Sequence, residues 1–350
     1  MIFKNKVLSI FLVVCFAVAC LNGIVPAQQQ MPQARVDAVY FFGHGDQDLE
    51  KLKKALPFRV GDKFVSPLPL IETRPKVEQA VRKAAGLPVT DVSFVSPGGE
   101  SWLVYIGLAG PSVKPFRHIA APTGTERLPV EAMRIYRETN AAFMNAMMAG
   151  RTSEDDSRGF ALSCDDEQLR SQQLAMHEYA VKNEAVIVDV LRNSGDVEHR
   201  RAAAQLFGYA ISSQQQIKEL VRASRDTDDT VRNNATRALI VHARSEAKTA
   251  SMIPADSFIE MLNSGEWSDR NKAGGLLGEL TRSRSPKLLK TLRSRAFESM
   301  AEMARWETGH AQPAREMLGR IAGIDEKKLV ALVADDAQTT TIIQAARAKN

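Results

Sequence analysis

Between Asn183 and Ala334 the chain repeats one pattern: an apolar helical stretch, a turn rich in acids, then a second helix with an arginine near its start and alanines behind it. The best copy is Asp229, Val231, Arg232, Ala235, Ala238 and Leu239. Looser copies run through Asp196, Arg200 and Ala202-Ala203-Ala204, through Asp269, Arg270 and Ala273, and through Ala314, Arg315 and Leu318. The marker arginines Arg200, Arg232, Arg270 and Arg315 follow one another after 32, 38 and 45 residues. Those intervals hold two helices and two turns, with a longer last unit. One helix pair cannot bury its own apolar face, so such units are stable only when stacked on one another. Alanine where helices cross permits close approach, and Leu and Val fill the seams between pairs. An acid at the start of each second helix satisfies free N–H groups and faces the positive end of the helix dipole.

These residues resemble the HEAT family of helical repeats over about residues 183–334. The resemblance implies an all-α solenoid with a curved binding face. It also implies that Asp196, Arg200, Asp229, Arg232, Asp269 and Arg270 form an internal ladder rather than a ligand site. Some HEAT-like proteins resemble bilin lyases, which keeps an enzymatic alternative open. Residues 335–350 are expected to be a cap or tail. Residues 129–182 read as leading helices: one to Ala149, then a polar loop containing Glu154-Asp155-Asp156, then a helix capped by Asp165 or Asp166.

The N-terminus carries an expectation about compartment. Lys4 and Lys6 precede an apolar run from Val7 to Ala19, and Val25-Pro26-Ala27 offers small residues before Gln28. This is the layout of a secretory signal peptide over residues 1–27, followed by a polar tether over 28–34. The run is shorter than the ~20 apolar residues of a spanning helix. Cys20 is a second expectation, as a lipidation site that would make the protein an envelope lipoprotein. Loss of the two lysines takes the formal net charge from +5 to +3, too mild to point to nucleic acid. With Cys15 and Cys20 gone, Cys164 is alone and no intramolecular disulfide can form.

Residues 35–109 read as a separate α/β module. Val36, Ala38, Tyr40 and Phe42 alternate as in a strand, and Gly43-His44-Gly45 turns the chain. Leu49, Leu52 and Leu56 fall at helical spacing, and Pro67 and Pro69 are expected to keep the next stretch extended. A helix from about Pro75 ends at Gly86, and the segments Val89–Val95 and Trp102–Leu108 flank Pro97-Gly98-Gly99 as a hairpin. The fold class expected is thus an α+β N-terminal module of order β-α-α-β-β, followed by an all-α HEAT-like solenoid. Val36 to Phe42-Gly43, Leu49, Leu52, Ala55-Leu56, Arg59-Val60-Gly61-Asp62 and Val104-Tyr105-Ile106 resemble a POTRA domain. That resemblance implies a periplasmic docking module, with Val89, Asp91, Val92, Phe94 and Val95 as the exposed edge for an added strand. Residues 110–128, with Pro111, Pro115, Pro122 and Gly124, read as a linker.

Reactive constellations are scarce. His177-Glu178 lacks the second histidine of a zinc-protease helix, because residue 181 is Val. The acidic runs lack the alternation of a calcium loop. Cys164, Met144, Met147 and Met148 read as packed side chains. The expectation is a non-enzymatic, exported scaffold with no cofactor, no metal and a protein partner.

Overall fold

The structure is a computed structural model that describes residues 33–349. The expected leader, its cleavage site before Gln28 and Cys20 lie outside the described residues. No described helix is long and apolar enough to cross a membrane.

The N-terminal module contains β1 (Ala34–Phe42), α1 (Leu49–Ala55), β2 (Lys63–Phe64), α2 (Pro67–Ile71), α3 (Arg74–Ala85), β3 (Val89–Gly98) and β4 (Ser101–Leu108). Asp48 caps α1 by accepting from the N–H groups of Glu50 and Lys51. Gly86 ends α3 in the left-handed region, at φ 68°. Two elements correct the β-α-α-β-β expectation. Strand β2 pairs Ala34 with Phe64 and Arg35 with Lys63, and two residues are too few for alternation to show. The segment expected to be extended is helix α2, because Pro67 and Pro69 both occupy its first turn, where no N–H is needed.

The sheet order is β2-β1-β4-β3, with β1 parallel to β4 and β3 antiparallel to it on the outside. Alternation gives the sheet two apolar faces. Val36, Val39, Phe41, Val92, Val104 and Ile106 pack against Leu52 and Leu56 and against Val77 and Val81 of α3. Phe42, Leu103 and Tyr105, with Ala38, Tyr40 and Val95 beside them, join the helical core instead. A sheet apolar on both faces is stable only when both are covered. The module is therefore fastened to the array rather than swinging from a linker.

The array is a stack of helix pairs. Leading helices α4 (Val130–Met148) and α5 (Glu167–Lys182) are followed by α6 (Glu184–Asn193) with α7 (Val197–Phe207) and α8 (Gln214–Ala223) with α9 (Asp229–Ser245). After the short α10 (Ala247–Met252) come α11 (Ala255–Leu262) with α12 (Trp267–Leu280) and α13 (Pro286–Ala304) with α14 (Gln312–Ile321). A last pair, α15 (Glu326–Val333) and α16 (Thr339–Ala348), packs on α14. The 45-residue interval reflects α13, which is 19 residues long and kinked at Ala296. The second helices stack directly, and small residues let them approach: a Cβ on Gly275 would lie 3.0 Å from Ile240.

Residues 151–163, expected to be a solvated loop, include a short hairpin of β5 (Glu154–Asp155) and β6 (Leu162–Ser163). Its carboxylates are held by arginines of α9, Glu154 by Arg237 at 2.5 Å and Asp156 by Arg244 at 3.3 Å. Phe160 beside them is buried and stacks on His177, ring centroids 4.1 Å apart.

The expected linker is a strap that crosses the array unit by unit. Ser299 Oγ on α13 donates to Ser112 O, and Lys114 N–H donates to Asn263 O behind α11. Ile119 N–H reaches Arg225 O behind α8, and Gly124 N–H reaches Asn193 O at the end of α6. Helix ends leave carbonyls without intrahelical partners, and the strap supplies N–H donors to them. Gly124 sits so close that a Cβ there would meet Asn193 O at 2.6 Å. Gly124→Val is expected to lower stability by about 1–3 kcal/mol, through loss of the paired backbone bonds at this contact. Urea unfolding with amide exchange at Gly195, which donates to Gly124 O, checks this.

Candidate functional site

The arginine ladder fixes how the units stack, and so where the surface side chains fall. Arg200 Nε and Nη2 donate to Asp226 at 2.9 and 3.1 Å, one unit on. Arg232 donates to Asp269 at 2.8 and 3.2 Å and pairs with Glu266. Arg270 donates to Glu302 at 2.9 Å, and Arg315 pairs with Asp336. Each guanidinium also donates to carbonyls of its own turn, such as Arg200 to Ser194 O and Arg270 to Ser264 O.

Two members of the expected ladder stand elsewhere. Asp196 caps α7 and pairs with Arg127 at 2.7 Å. Asp229 is the first residue of α9, whose cap is Asp228; Asp228 accepts from Val231 N–H and holds Arg201. The acid that meets Arg200 must sit inside the inter-helix turn, and spacing alone does not choose among Asp226, Asp228 and Asp229. Glu302 was missed because it lies in the last turn of α13, ahead of the inter-helix turn from which the spacing draws the ladder acids.

Glu302 is also where the module meets the array. Its Oε2 accepts from Gly43 N–H at 2.9 Å, Ser112 Oγ at 2.7 Å and Arg270 Nη1 at 2.9 Å. The Arg270 guanidinium lies 4.8 Å from the Phe42 ring centroid. Gly43 has φ 68°, and a Cβ there would lie 2.0 Å from Leu108 O, so only glycine permits this approach. Beside this point Tyr105 packs on Trp267 and Trp306, each with ring centroids 5.0 Å away, and its hydroxyl lies 2.8 Å from His310 Nδ1. Burial pushes the Tyr105 phenol up and the His310 imidazole down to about 4, so both are neutral near pH 7.

Docking leaves a cleft of about 500 Å³ between the outer strand β3 and the second helices. One wall is β3, through Asp91, Ser93, Phe94 and Val95, with Arg74 of α3 beside it. Thr139, Asn140, Phe143 and Met144 of α4 form another, with Gln173 of α5 behind them. The floor is α9, where Thr230, Asn234, Ala238 and Val241 and the row Asn233, Arg237 recur at helical spacing, joined by Trp267, Ser268 and Lys272 of α12. Strand β3 has no further strand on its outer side among the described residues. Its two ends are closed. Trp267 N–H donates to Asp91 Oδ2 at 3.0 Å, and Gly98 approaches Met147 O. Between them the unpaired edge opens onto the cleft.

Of the five residues expected on that edge, Asp91, Phe94 and Val95 line the cleft. Val92 is buried in the module core, and Val89 packs against that core as well. Ser93, missed in the sequence, lies beside them and donates to Asp91 Oδ2 at 2.7 Å. Of the methionines expected to be core, Met144 lines the cleft wall and Met148 is 46% exposed. Ala142, Ala146 and Leu169 take the buried positions instead. Cys164, expected to be packed, is exposed. His177 is spent on Tyr209 O at 2.7 Å.

Most charges in the cleft are compensated. Arg237 pairs with Glu154, Glu266 with Arg232, and Arg74 lies 3.9 Å from Asp91. Lys272 makes no ion pair or hydrogen bond among the described residues, and burial, with Arg237 nearby, lowers its pKa to about 8. The described residues contain no group of three or more His, Cys, Asp or Glu side chains placed to hold a metal ion.

No family model and no curated protein matches the chain. Similar solved structures include an engineered protein, 16% identical over 62% of this chain and 95% of that one, with a TM-score of 0.37. A second engineered protein is 18% identical over 52% and 92%, at 0.35. A designed armadillo repeat protein in complex with the peptide (KR)4 is 13% identical over 62% and 98%, at 0.36. All three TM-scores are below 0.5. The helical-repeat architecture of this chain rests on its own helix pairs and ladder.

Proposed function

We propose that the protein is a non-enzymatic binding scaffold whose cleft takes an extended polypeptide segment against strand β3. One observation carries this: the edge from Asp91 to Val95 has no further strand on it among the described residues and faces a floor of amide and aromatic side chains across a cleft of about 500 Å³. Backbone groups along such an edge give affinity to an added strand, and side chains opposite give selectivity. The amides Asn140, Gln205, Asn233 and Asn234 suit a polar backbone, while Phe143, Met144 and Trp267 suit apolar side chains. The long elements β1, α1, α3, β3 and β4 follow the order that the POTRA resemblance implies, and the stacked pairs support the HEAT-like reading. The leader-like N-terminus supports export to the periplasm or cell exterior. Mass spectrometry of the mature N-terminus distinguishes Gln28 from a lipidated Cys20.

Panning a displayed library of random 12-residue peptides on the folded protein tests the cleft. Asn233 makes no hydrogen bond among the described residues, so Asn233→Trp fills the floor without orphaning a partner. Selected peptides are expected to bind this variant at least ten-fold more weakly, with its melting temperature unchanged. Equal binding to both proteins would contradict the reading. The cleft volume also falls in the range of small-molecule sites, which supports a second reading as a small-ligand or chromophore site. Failure of every peptide, with a small molecule displaced by Asn233→Trp, would favour that one.

A further inference from the structure

We propose that Lys272 is the anchor for a carboxylate on the bound segment, so that the partner is an acidic peptide. This rests on the cleft reading above and narrows its occupant. Of the cations lining the cleft, Arg237 is neutralised by Glu154, and Arg74 faces Asp91. Lys272 projects from α12 one turn beyond Trp267 and Ser268 and is half-buried, with no described group within hydrogen-bonding distance. An ammonium taken from water without a partner is costly, and an incoming carboxylate would remove that cost while forming a charge-assisted hydrogen bond. Burial already lowers the Lys272 pKa to about 8, so the charge is present at neutral pH but poorly solvated. Arg237 beside it lowers the same pKa and its partner Glu154 raises it, so that ion pair leaves Lys272 without a counter-charge of its own. Trp267, which also lines the cleft, has a buried indole N–H without a partner among the described residues. Across the cleft, Asp91 already accepts from Ser93 and Trp267, so the acceptor side is satisfied and the donor side is not.

The test uses the peptides selected on the full folded chain, their Glu→Gln or Asp→Asn forms, and the variants Lys272→Gln and Asn233→Trp. The expected result is that selected peptides share an acidic position. Lys272→Gln should then weaken them ten-fold or more, and leave the amide peptides unchanged. A double-mutant cycle isolates that pairing from any general change in the cleft. Lys272→Gln removes a poorly solvated charge, so its melting temperature should hold or rise. Peptides without a shared acid, or equal loss for acidic and amide forms, would overturn the inference while the cleft reading stands. Binding unaffected by Asn233→Trp would overturn both. A phosphoserine peptide binding ten-fold tighter than its glutamate form would assign the ammonium to phosphate and also overturn it.

Discussion

Glu302→Ala is expected to destabilise the full chain by about 3–5 kcal/mol, the scale for removing one member of a buried ion pair. The carboxylate is 7% exposed and its partner Arg270 is fully buried. Alanine leaves that guanidinium without a counter-charge, and it orphans the Gly43 N–H and the Ser112 hydroxyl as well. The replacement also loosens the seat of Phe42 under Arg270. Glu302→Gln keeps an acceptor and should cost less. Trp267 and Trp306 stand at this junction, against Tyr105, so their fluorescence reports on docking. A red shift before global unfolding in urea is expected for Glu302→Ala. A variant within about 1 kcal/mol of the parent would mean that the module and array are not fastened here.

Acid is expected to weaken the fold well above the range where carboxylates titrate. His242 and His310 are held neutral by burial down to about 4, against 6.5 in an unfolded chain. Between those values the unfolded state binds protons that the folded state refuses, so stability falls as pH drops from about 6.5 to about 4 and then levels off for these groups. Each shift is linked to roughly 3 kcal/mol. His242 is the cleaner case, since neither ring nitrogen has a partner among the described residues. His242→Leu should match the parent at pH 7 and exceed it by about 2 kcal/mol at pH 5. Urea midpoints at the two pH values check this; parallel pH profiles for parent and variant would refute it.

The repeating units were legible because a stack forces the same demands on each copy: an acid cap, a reaching arginine and alanine at the crossing. Arg200, Arg232 and Arg270 were identifiable for that reason. Their partners Asp226 and Glu302 were not, since which acid faces a neighbouring unit depends on the turn path and the superhelix. The module's long strands were legible by alternation, whereas β2 is too short and α2 hides behind its prolines. The strap could not be read at all. Pro/Gly-rich sequence signals the absence of regular structure, and says nothing about carbonyls elsewhere in need of donors. The alternation on β1 and β4 did carry one unused signal. Tyr40, Phe42, Leu103 and Tyr105 fall on the face opposite to α1 and α3, and large apolar groups on both faces imply a second cover. That cover is the array, and the cleft exists because β3 lies at its margin.

Amide hydrogen exchange across the whole chain, with and without a peptide selected in the panning experiment, tests the cleft most directly. Slowed exchange is expected along Asp91–Val95 and at the cleft-facing turns of α9 and α12. Protection confined to the outer helices α6, α8 and α11, with β3 unchanged, would contradict it.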